Sequence, residues 1–223
     1  MISDSLHLNT KAKKQNTYDV IIVGSGISGG WAAKELCEKG LKVLMLERGS
    51  NVIHPNYPTS TKDPWEFKHK FRLTNEDKET HPVQSRHWSF REDNKHFYIN
   101  DLENPYDEPK RFDWIRGDIV GGRSLLWSRQ CYRWSDLDFE ANLKDGVAID
   151  WPIRYKDIAP WYDYVESFIG VSGSRDGVPH LPDGNFLPPF EMNCVEKVFK
   201  EKIENHFSDK KVIIGRPHLS FLS

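Results

Sequence analysis

The sequence predicts an α/β fold that opens with a Rossmann-like βαβ unit. Residues 18–23 form a β-branched apolar run typical of a buried parallel strand. Residues 27–39 have a helical pattern, and Gly40 follows where a helix C-terminal stop is expected. Residues 42–46 form a second apolar run. Together these segments make a unit of about 30 residues, the usual size of a βαβ motif.

The composition is that of a globular protein. The chain has 223 residues, of which 38% are hydrophobic and 29% charged. Its net charge of −2 gives no reason to expect a nucleic-acid partner. No apolar run approaches the roughly 20 residues of a membrane span. The three cysteines are far apart and show no zinc spacing, so we expect a reducing compartment and no metal site.

The N-terminus is polar, and we expect residues 1–17 to form a disordered leader. The segment lacks the apolar centre of a Sec signal and the paired arginines of a Tat signal. A cytoplasmic location is therefore the default prediction. A periplasmic location would require export together with a partner.

The rest of the chain divides by composition. Residues 51–111 are polar, aromatic and rich in proline, and we interpret them as an irregular lid or insertion. Residues 112–150 are expected to rejoin the nucleotide-binding domain that begins with 18–50. Residues 151–223 are expected to begin a substrate domain with a helical segment.

Three further elements are predicted in that last region. A helix is expected over about 157–168, with Asp157 as its N-cap and Pro160 in its first turn. Ile158, Trp161, Val165 and Phe168 would share its apolar face. Asn193 and Glu196 have the spacing of a capping box, which predicts a second helix. A short strand is expected at 212–214.

The glycine motif between the first strand and helix is typical of a dinucleotide site. Gly24 permits a tight turn, Gly26 lets the backbone approach a pyrophosphate, and Gly29 lets the helix pack on the strand. The N–H groups and dipole of the helix N-terminus would stabilise phosphate charge. Glu47 lies 18 residues beyond Gly29, where an acceptor for a ribose hydroxyl is expected. The predicted residues here are Gly24, Ser25, Gly26, Ile27, Ser28, Gly29, Glu47 and Arg48.

Glu47 narrows the choice of dinucleotide. An acid at this position favours a free 2′-hydroxyl and would repel the 2′-phosphate of NADP. It does not separate NAD from FAD, since both carry adenosine diphosphate. Only one βα unit precedes the irregular segment, whereas an NAD domain usually continues with further βα repeats. This observation favours FAD.

A second glycine element, RGDIVGGRSLLWS, spans residues 116–128. Gly121 and Gly122, followed by Ser124, offer a run of N–H groups that suits a phosphate or a flavin edge. Arg116 could pair with a phosphate or with Asp118. The alternative is a plain Gly-Gly turn with Trp127 and Trp134 in the core. The pattern leaves both interpretations open.

Three segments in this order resemble the N-terminal half of glucose–methanol–choline (GMC) flavin oxidoreductases. They are the βαβ unit, GDIVGGRSLLW, and DWPIRYKDIAPWYDYVESFIGVSG, and the resemblance runs from about Tyr18 to about Gly173. The nearest branch holds pyranose 2-oxidase and the large subunits of gluconate and fructose dehydrogenases. The resemblance implies FAD, with these residues along its ribityl chain and ring: Arg116, Gly121, Gly122, Ser124, Leu125, Leu126, Trp127 and Ser128.

The resemblance also implies a reaction. The family oxidises an alcohol by hydride transfer to flavin N5, and the branch suggests a sugar, sugar acid or polyol. Pyranose oxidase-like members bond FAD covalently through a histidine whose position here is Leu126, so non-covalent FAD is expected. The family's catalytic base lies near the C-terminus of longer chains. We therefore expect the base beyond residue 223, an incomplete FAD domain in this chain, and no activity from the chain alone.

The sequence also bears on partner proteins and leaves two other functions open. An electron-acceptor protein or a small subunit is a conceivable partner, as in related dehydrogenases. The alternative enzyme is an NAD-dependent dehydrogenase with an insertion. The alternative from another class is a non-catalytic remnant that only binds a nucleotide.

Overall fold

The computed structural model describes residues 17–213 and 218–219. The leader predicted for 1–17 lies almost entirely outside the described residues, as does Ile214 of the strand predicted for 212–214; Val212 and Ile213 are not in a strand. The chain divides into two compact units between Trp127 and Ser128. The sequence prediction placed a domain boundary after residue 150. Each unit is described by itself.

Within its described residues, 17–127, the first unit contains two strands and three α-helices, joined by short 3-10 helices. Their bounds are β1 (Val20–Val23), α1 (Ile27–Glu38), β2 (Val43–Leu46), α2 (Pro58–Thr61) and α3 (Asn75–Thr80). The 3-10 helices are His54–Asn56, Pro64–Glu66, Lys68–Phe71, Gln84–Arg86, Lys95–Phe97 and Gly122–Leu125.

The predicted βαβ unit is confirmed. β1 and β2 are parallel, with Val20 opposite Val43. α1 ends as predicted, because Gly40 adopts a φ of +82° just after its C-cap. The strand is less buried than the sequence predicts: Ile22 is buried, while Ile21 and Val23 are 61% and 84% exposed. Among the described residues β1 pairs only with β2. Two of its four side chains, Ile21 and Val23, lie on a face of this pair that no other described layer covers.

The segment predicted to be irregular supplies most of the core of the first unit. Phe90, Phe97 and Tyr98 form one buried cluster with Ile119. The rings of Phe90 and Tyr98 meet edge to face, with centroids 4.9 Å apart. The segment has no strand of its own among the described residues, so side-chain packing, together with turn and 3-10 hydrogen bonds, holds it in place.

Backbone contacts carry the second glycine element to the end of β2. Tyr98 pairs with Gly117, and Ser50 pairs with Ile119. Ser50 N donates to Asp118 O at 3.1 Å. A Cβ on Gly49 would lie 2.3 Å from Ile119 N, so only glycine fits at this crossing.

A buried ion pair fixes α3 against the core segment. Asp77 accepts from Lys95 Nζ at 2.7 Å and from the N–H and hydroxyl of Thr74 at 2.9 Å and 2.8 Å. Burial raises the pKa of Asp77, but hydrogen bonds from Lys95 and Thr74 outweigh it and bring the pKa to about 2. The ionised form is therefore favoured in the folded state.

We expect Asp77→Asn to destabilise the chain in a pH-dependent way. The depressed pKa contributes about 2 kcal/mol to the free energy of unfolding above pH 3.8. About half of this is lost by pH 3, because the carboxylate of the unfolded chain protonates there while that of the folded chain stays ionised until the pH reaches about 2. Urea unfolding at pH 7 and pH 3 measures the difference. Glu79→Gln, on the exposed side of α3, is the control. A stability loss that is the same at both pH values would contradict this account.

The second unit is mainly helical. Its elements are α4 (Asp136–Phe139), α5 (Ala141–Asp145), α6 (Tyr155–Ile169), β3 (Val171–Ser172), α7 (Cys194–His206) and β4 (His218–Leu219). β3 and β4 are antiparallel, with Val171 opposite Leu219. Among the described residues, no helix has both the length and the apolar character needed to cross a membrane.

The start of α6 differs from the prediction. The helix begins two residues earlier, and Asp157 is its third residue rather than its N-cap. The Asp157 carboxylate accepts from Arg154 N at 2.8 Å, which completes a capping box. Pro160 consequently lies inside the helix instead of in its first turn. It cannot donate to Lys156 O four residues earlier, and both residues are exposed, so solvent can reach this part of the helix.

The least exposed face of α6 is mixed, and the apolar face predicted for it is only partly right. Ile158 and Val165 of that face are partly buried. Trp161 and Phe168 are 64% and 55% exposed, whereas Glu166 is buried. Glu166 is held inside by Arg133, which is itself buried. The need to neutralise a buried guanidinium therefore sets the orientation of this helix.

The start of α7 agrees with the prediction. The Asn193 side chain accepts from Val195 N and Glu196 N, at 2.9 Å and 3.0 Å. Glu196 in turn accepts from Asn193 N at 2.8 Å. These bonds form the capping box that the sequence spacing predicts.

Candidate dinucleotide site

The first glycine motif forms a tight turn between β1 and α1. Gly24 has a φ of +92°, and its N–H donates to Leu46 O at 2.7 Å. A Cβ on Gly29 would lie 2.0 Å from Gly24 O and 3.3 Å from Ile22 Cγ2, so the helix reaches the strand only with glycine here. A Cβ on Gly26 would meet nothing within 4 Å. The chain therefore leaves open space beside Gly26, where the pyrophosphate of a dinucleotide could approach.

The N-terminus of α1 is not capped by a side chain. Gly26 is the N-cap, and the first turn holds no acidic residue. Ile27 and Ser28, the first two helical residues, are exposed. The positive end of the α1 dipole is therefore compatible with an anion such as a phosphate.

Glu47 joins the turn through its carboxylate. Oε2 accepts from the N–H and the hydroxyl of Ser25, at 2.8 Å and 2.6 Å. Oε1 accepts from Arg48 N and Gly49 N, both at 2.7 Å. Burial raises the pKa of Glu47, but the bonds from Ser25, Gly49 and Arg48 outweigh this and lower it. Glu47 is consequently ionised at neutral pH.

The second glycine element meets the first. Gly121 and Gly122 have φ values of +90° and +56°, in the left-handed region that glycine favours. Gly121 N donates to Ser25 Oγ at 2.8 Å. A Cβ on Gly122 would lie 3.5 Å from Gly26 Cα. The fold thus brings together two glycine turns that lie almost 100 residues apart in sequence.

The tryptophans of the second element are not core residues. Trp127 is 37% exposed and Trp134 is 51% exposed. The alternative that places both in a buried core is therefore wrong. Ser124 lies inside the turn, where its hydroxyl donates to Gly121 O at 2.7 Å.

Arg116 does not make the predicted pair with Asp118, while its pairing with a phosphate stays a prediction. Its Nη2 donates to Asn104 O at 2.7 Å and lies 3.5 Å from Asp101 Oδ1. The guanidinium also stacks over the rings of Trp114 and Tyr106, at 4.9 Å and 5.0 Å from their centroids. In this conformation the Arg116 side chain anchors the segment that leads to the glycine turn.

Asp118 pairs instead with Arg48. The Arg48 Nε lies 3.0 Å from Asp118 Oδ1, and the Arg48 side chain is 67% exposed. This pair joins the residue after Glu47 to the second glycine element. At this exposure it contributes little to stability.

Sequence analysis missed Gln84, which is fully buried behind the second element. Its Oε1 accepts from Arg116 N at 2.8 Å, and its Nε2 donates to Asp101 Oδ1 at 2.8 Å and to Trp114 O at 3.0 Å. Asp101 Oδ2 also accepts from Gln84 N at 3.0 Å. No local pattern marks a buried glutamine, because its partners lie 17 to 32 residues away.

The remaining predicted residues follow the second turn. Leu126 packs against the core cluster around Phe97 and Tyr98. Leu125 is 39% exposed. Ser128 is the first residue of the second unit, so its assignment to the site stays a sequence prediction.

The fold of the first unit is Rossmann-like, and the comparisons agree. The family described as "NAD(P)-binding Rossmann-like domain" matches residues 22–76. A 2-methyl-1,2-propanediol dehydrogenase of Mycolicibacterium austroafricanum is 28% identical over 167 residues, which cover 74% of this chain and 26% of the relative.

Two further relatives are similar over the same share of the chain. The fructose dehydrogenase large subunit of Gluconobacter japonicus is 26% identical, over 78% of this chain and 31% of its own length. The gluconate 2-dehydrogenase flavoprotein of Pantoea cypripedii is 29% identical, over 74% of this chain and 27% of its own length. The resemblance to GMC-type flavin oxidoreductases is confirmed. The matched region is less than a third of these relatives, not the half that was expected.

Proposed function

We propose that the first unit binds FAD non-covalently and serves an enzyme that oxidises an alcohol group. The observation that carries the proposal is the meeting of the two glycine turns at Ser25 and Gly121, beside Glu47. Such a site offers N–H groups for a pyrophosphate and an ionised acceptor for a ribose hydroxyl. The flavoprotein among the relatives supports FAD over NAD.

The residues present fit this cofactor. Gly26 and the N–H groups at the start of α1 would hold the pyrophosphate, Gly24 and Ser25 would shape the turn around it, and Glu47 would hold the adenosine ribose. The second turn, from Gly121 onward, would lie along the ribityl chain and the ring. When bound, FAD would accept the hydride from the alcohol carbon.

Leu126 supports non-covalent binding. A leucine side chain has no atom that can bond to a flavin, and this one packs against the core of the first unit. The nucleotide would therefore be held only by hydrogen bonds, charge and packing. FAD should leave the protein when it unfolds.

The substrate class follows from the relatives alone. Those named act on a diol, fructose and gluconate, which favours a polyol, sugar or sugar acid for this chain as well. The name of the fructose dehydrogenase large subunit supports a partner subunit or an electron-acceptor protein. We propose that the catalytic base lies outside these 223 residues.

Calorimetric titration of the full chain with FAD, NAD and NADP tests the proposal. We expect FAD to bind and NADP not to bind, because Glu47 would repel a 2′-phosphate. Binding of NAD without FAD would select an NAD-dependent dehydrogenase. A folded chain that binds FAD but transfers no hydride in any assembly would be a nucleotide-binding remnant.

We expect Glu47→Gln to weaken FAD binding on the order of tenfold, because an amide removes one acceptor oxygen and the charge. The amide would also turn an N–H₂ group toward donors of Ser25, Arg48 or Gly49. Glu38→Gln, at the exposed end of α1, is the control. Equal FAD affinity of the Glu47 variant and the wild type would remove Glu47 from the site.

A further inference from the structure

We propose that Ser25 is a positioning residue whose hydroxyl aligns the two glycine turns so that one FAD molecule contacts both. This inference rests on the proposed function. Ser25 Oγ lies 2.6 Å from Glu47 Oε2 and 2.8 Å from Gly121 N. The Ser25 hydroxyl therefore bridges Glu47, the proposed ribose acceptor beside the first turn, and the backbone N–H of Gly121 in the second turn.

The chemistry of the three groups fixes the direction of the bridge. An ionised carboxylate only accepts hydrogen bonds, so the Ser25 hydroxyl must donate its hydrogen to Glu47. A backbone N–H only donates, so the Gly121 N–H must donate to a lone pair of the Ser25 oxygen. The hydroxyl therefore has one role toward each partner and cannot rotate without losing a bond.

A further hydrogen bond supports the bridge. The Ser25 N–H also donates to Glu47 Oε2, at 2.8 Å, so backbone and side chain of Ser25 hold the same oxygen. The two turns are also neighbours in space, since a Cβ on Gly122 would lie 3.5 Å from Gly26 Cα, an ordinary van der Waals distance. A displacement of Gly121 would therefore change the alignment of the two turns.

Different ligands report on the two turns separately. In the proposed binding mode, ADP needs only the first turn and Glu47, whereas FAD needs both turns. Loss of the Ser25 hydroxyl should therefore affect FAD more than ADP. A merely structural role of Ser25 in the first turn would affect both ligands equally.

The experiment titrates FAD and ADP into the full chain of the wild type, Ser25→Ala and Ser25→Thr. We expect Ser25→Ala to bind FAD about tenfold more weakly, the scale of one lost hydrogen bond, and to lose less ADP affinity, because the Ser25 N–H still holds Glu47 Oε2. Ser25→Thr keeps a hydroxyl and should restore FAD binding. The visible circular dichroism of bound FAD should change in Ser25→Ala only. Ser60→Ala, which removes an exposed hydroxyl bonded to His54 O, is the control.

Several results would overturn the inference. Unchanged FAD affinity in Ser25→Ala would do so, as would equal losses for FAD and ADP or a threonine variant as weak as the alanine variant. Retained ADP binding shows that the first turn of the alanine variant is folded. A wild-type chain that binds ADP but not FAD would overturn the proposed function itself, and the inference with it; the wild type alone reveals that case.

Discussion

Gly29→Ala is expected to weaken FAD binding by roughly a hundredfold, which corresponds to about 3 kcal/mol. The added Cβ would lie 2.0 Å from Gly24 O, which is backbone and cannot move aside alone. It would also lie 3.3 Å from Ile22 Cγ2. The helix must therefore move away from β1, and the turn that presents the N–H groups must open.

The same change should lower the free energy of unfolding by about 3 kcal/mol, the upper range for overpacking. Gly30→Ala is a matched control, because a Cβ there meets nothing nearer than Ser25 O at 4.0 Å. Alanine favours a helix over glycine, so this control should bind FAD normally and be no less stable. Calorimetric titration and urea unfolding of both variants measure the effects. Normal binding by Gly29→Ala would contradict the observed strand–helix packing.

Arg133→Met is expected to destabilise the second unit by about 3 to 5 kcal/mol. Arg133 and Glu166 have side chains only 3% and 5% exposed. Arg133 Nε donates to Glu166 Oε1 at 2.8 Å, Nη1 donates to Tyr155 OH at 2.9 Å, and Nη2 also contacts Asp163. Burial lowers the pKa of Arg133, but the hydrogen bonds that it donates to Glu166, Asp163 and Tyr155 outweigh this and raise the pKa. Removing the arginine leaves the Glu166 carboxylate buried without its cation.

The double variant Arg133→Met, Glu166→Leu separates charge pairing from packing. Replacing both partners removes the uncompensated charge, so most of the lost stability should return. Lys144→Met is the control, because its pair with Glu140 is 54% exposed at the lysine and should change stability by less than about 1 kcal/mol. Urea unfolding measures all three variants. If Arg133→Met were as stable as the wild type, this ion pair would not be what organises the unit.

The sequence predicts local elements well where a residue type carries its own geometry. Gly24 and Gly40 adopt positive φ values at the turn and at the helix end. Asn193 and Glu196 cap a helix through bonds that span three residues. In each case the residue type and the structure that it determines lie within a few residues of each other, so sequence spacing alone is enough to predict the element.

The buried polar groups could not be predicted in the same way. Arg133 meets Glu166 over 33 residues, and Gln84 meets Arg116 over 32. Charged and amide side chains are usually exposed, so a pattern of apolar residues places them on the outside. The face predicted for α6 was only partly right for this reason: Trp161 and Phe168 are exposed, and Glu166 turns inward to meet a buried cation.

The two glycine turns could be predicted only in part. Each was visible as a motif, but nothing in the spacing shows that Ser25 Oγ would accept from Gly121 N. The contact depends on the packing of residues 51–111, which bring Gly117 and Ile119 beside Tyr98 and Ser50. That segment has weak periodicity, so its role in building the site emerges only from the folded chain.

The visible absorption spectrum of the purified protein, followed by acid release of the cofactor, tests the central claim most directly. We predict the bands of an oxidised flavin, and FAD that comes free when acid unfolds the protein. Flavin that stays with the denatured chain would contradict the non-covalent binding inferred from Leu126. A folded protein with no flavin, which also fails to take up added FAD, would contradict the assignment of the glycine turns to this cofactor.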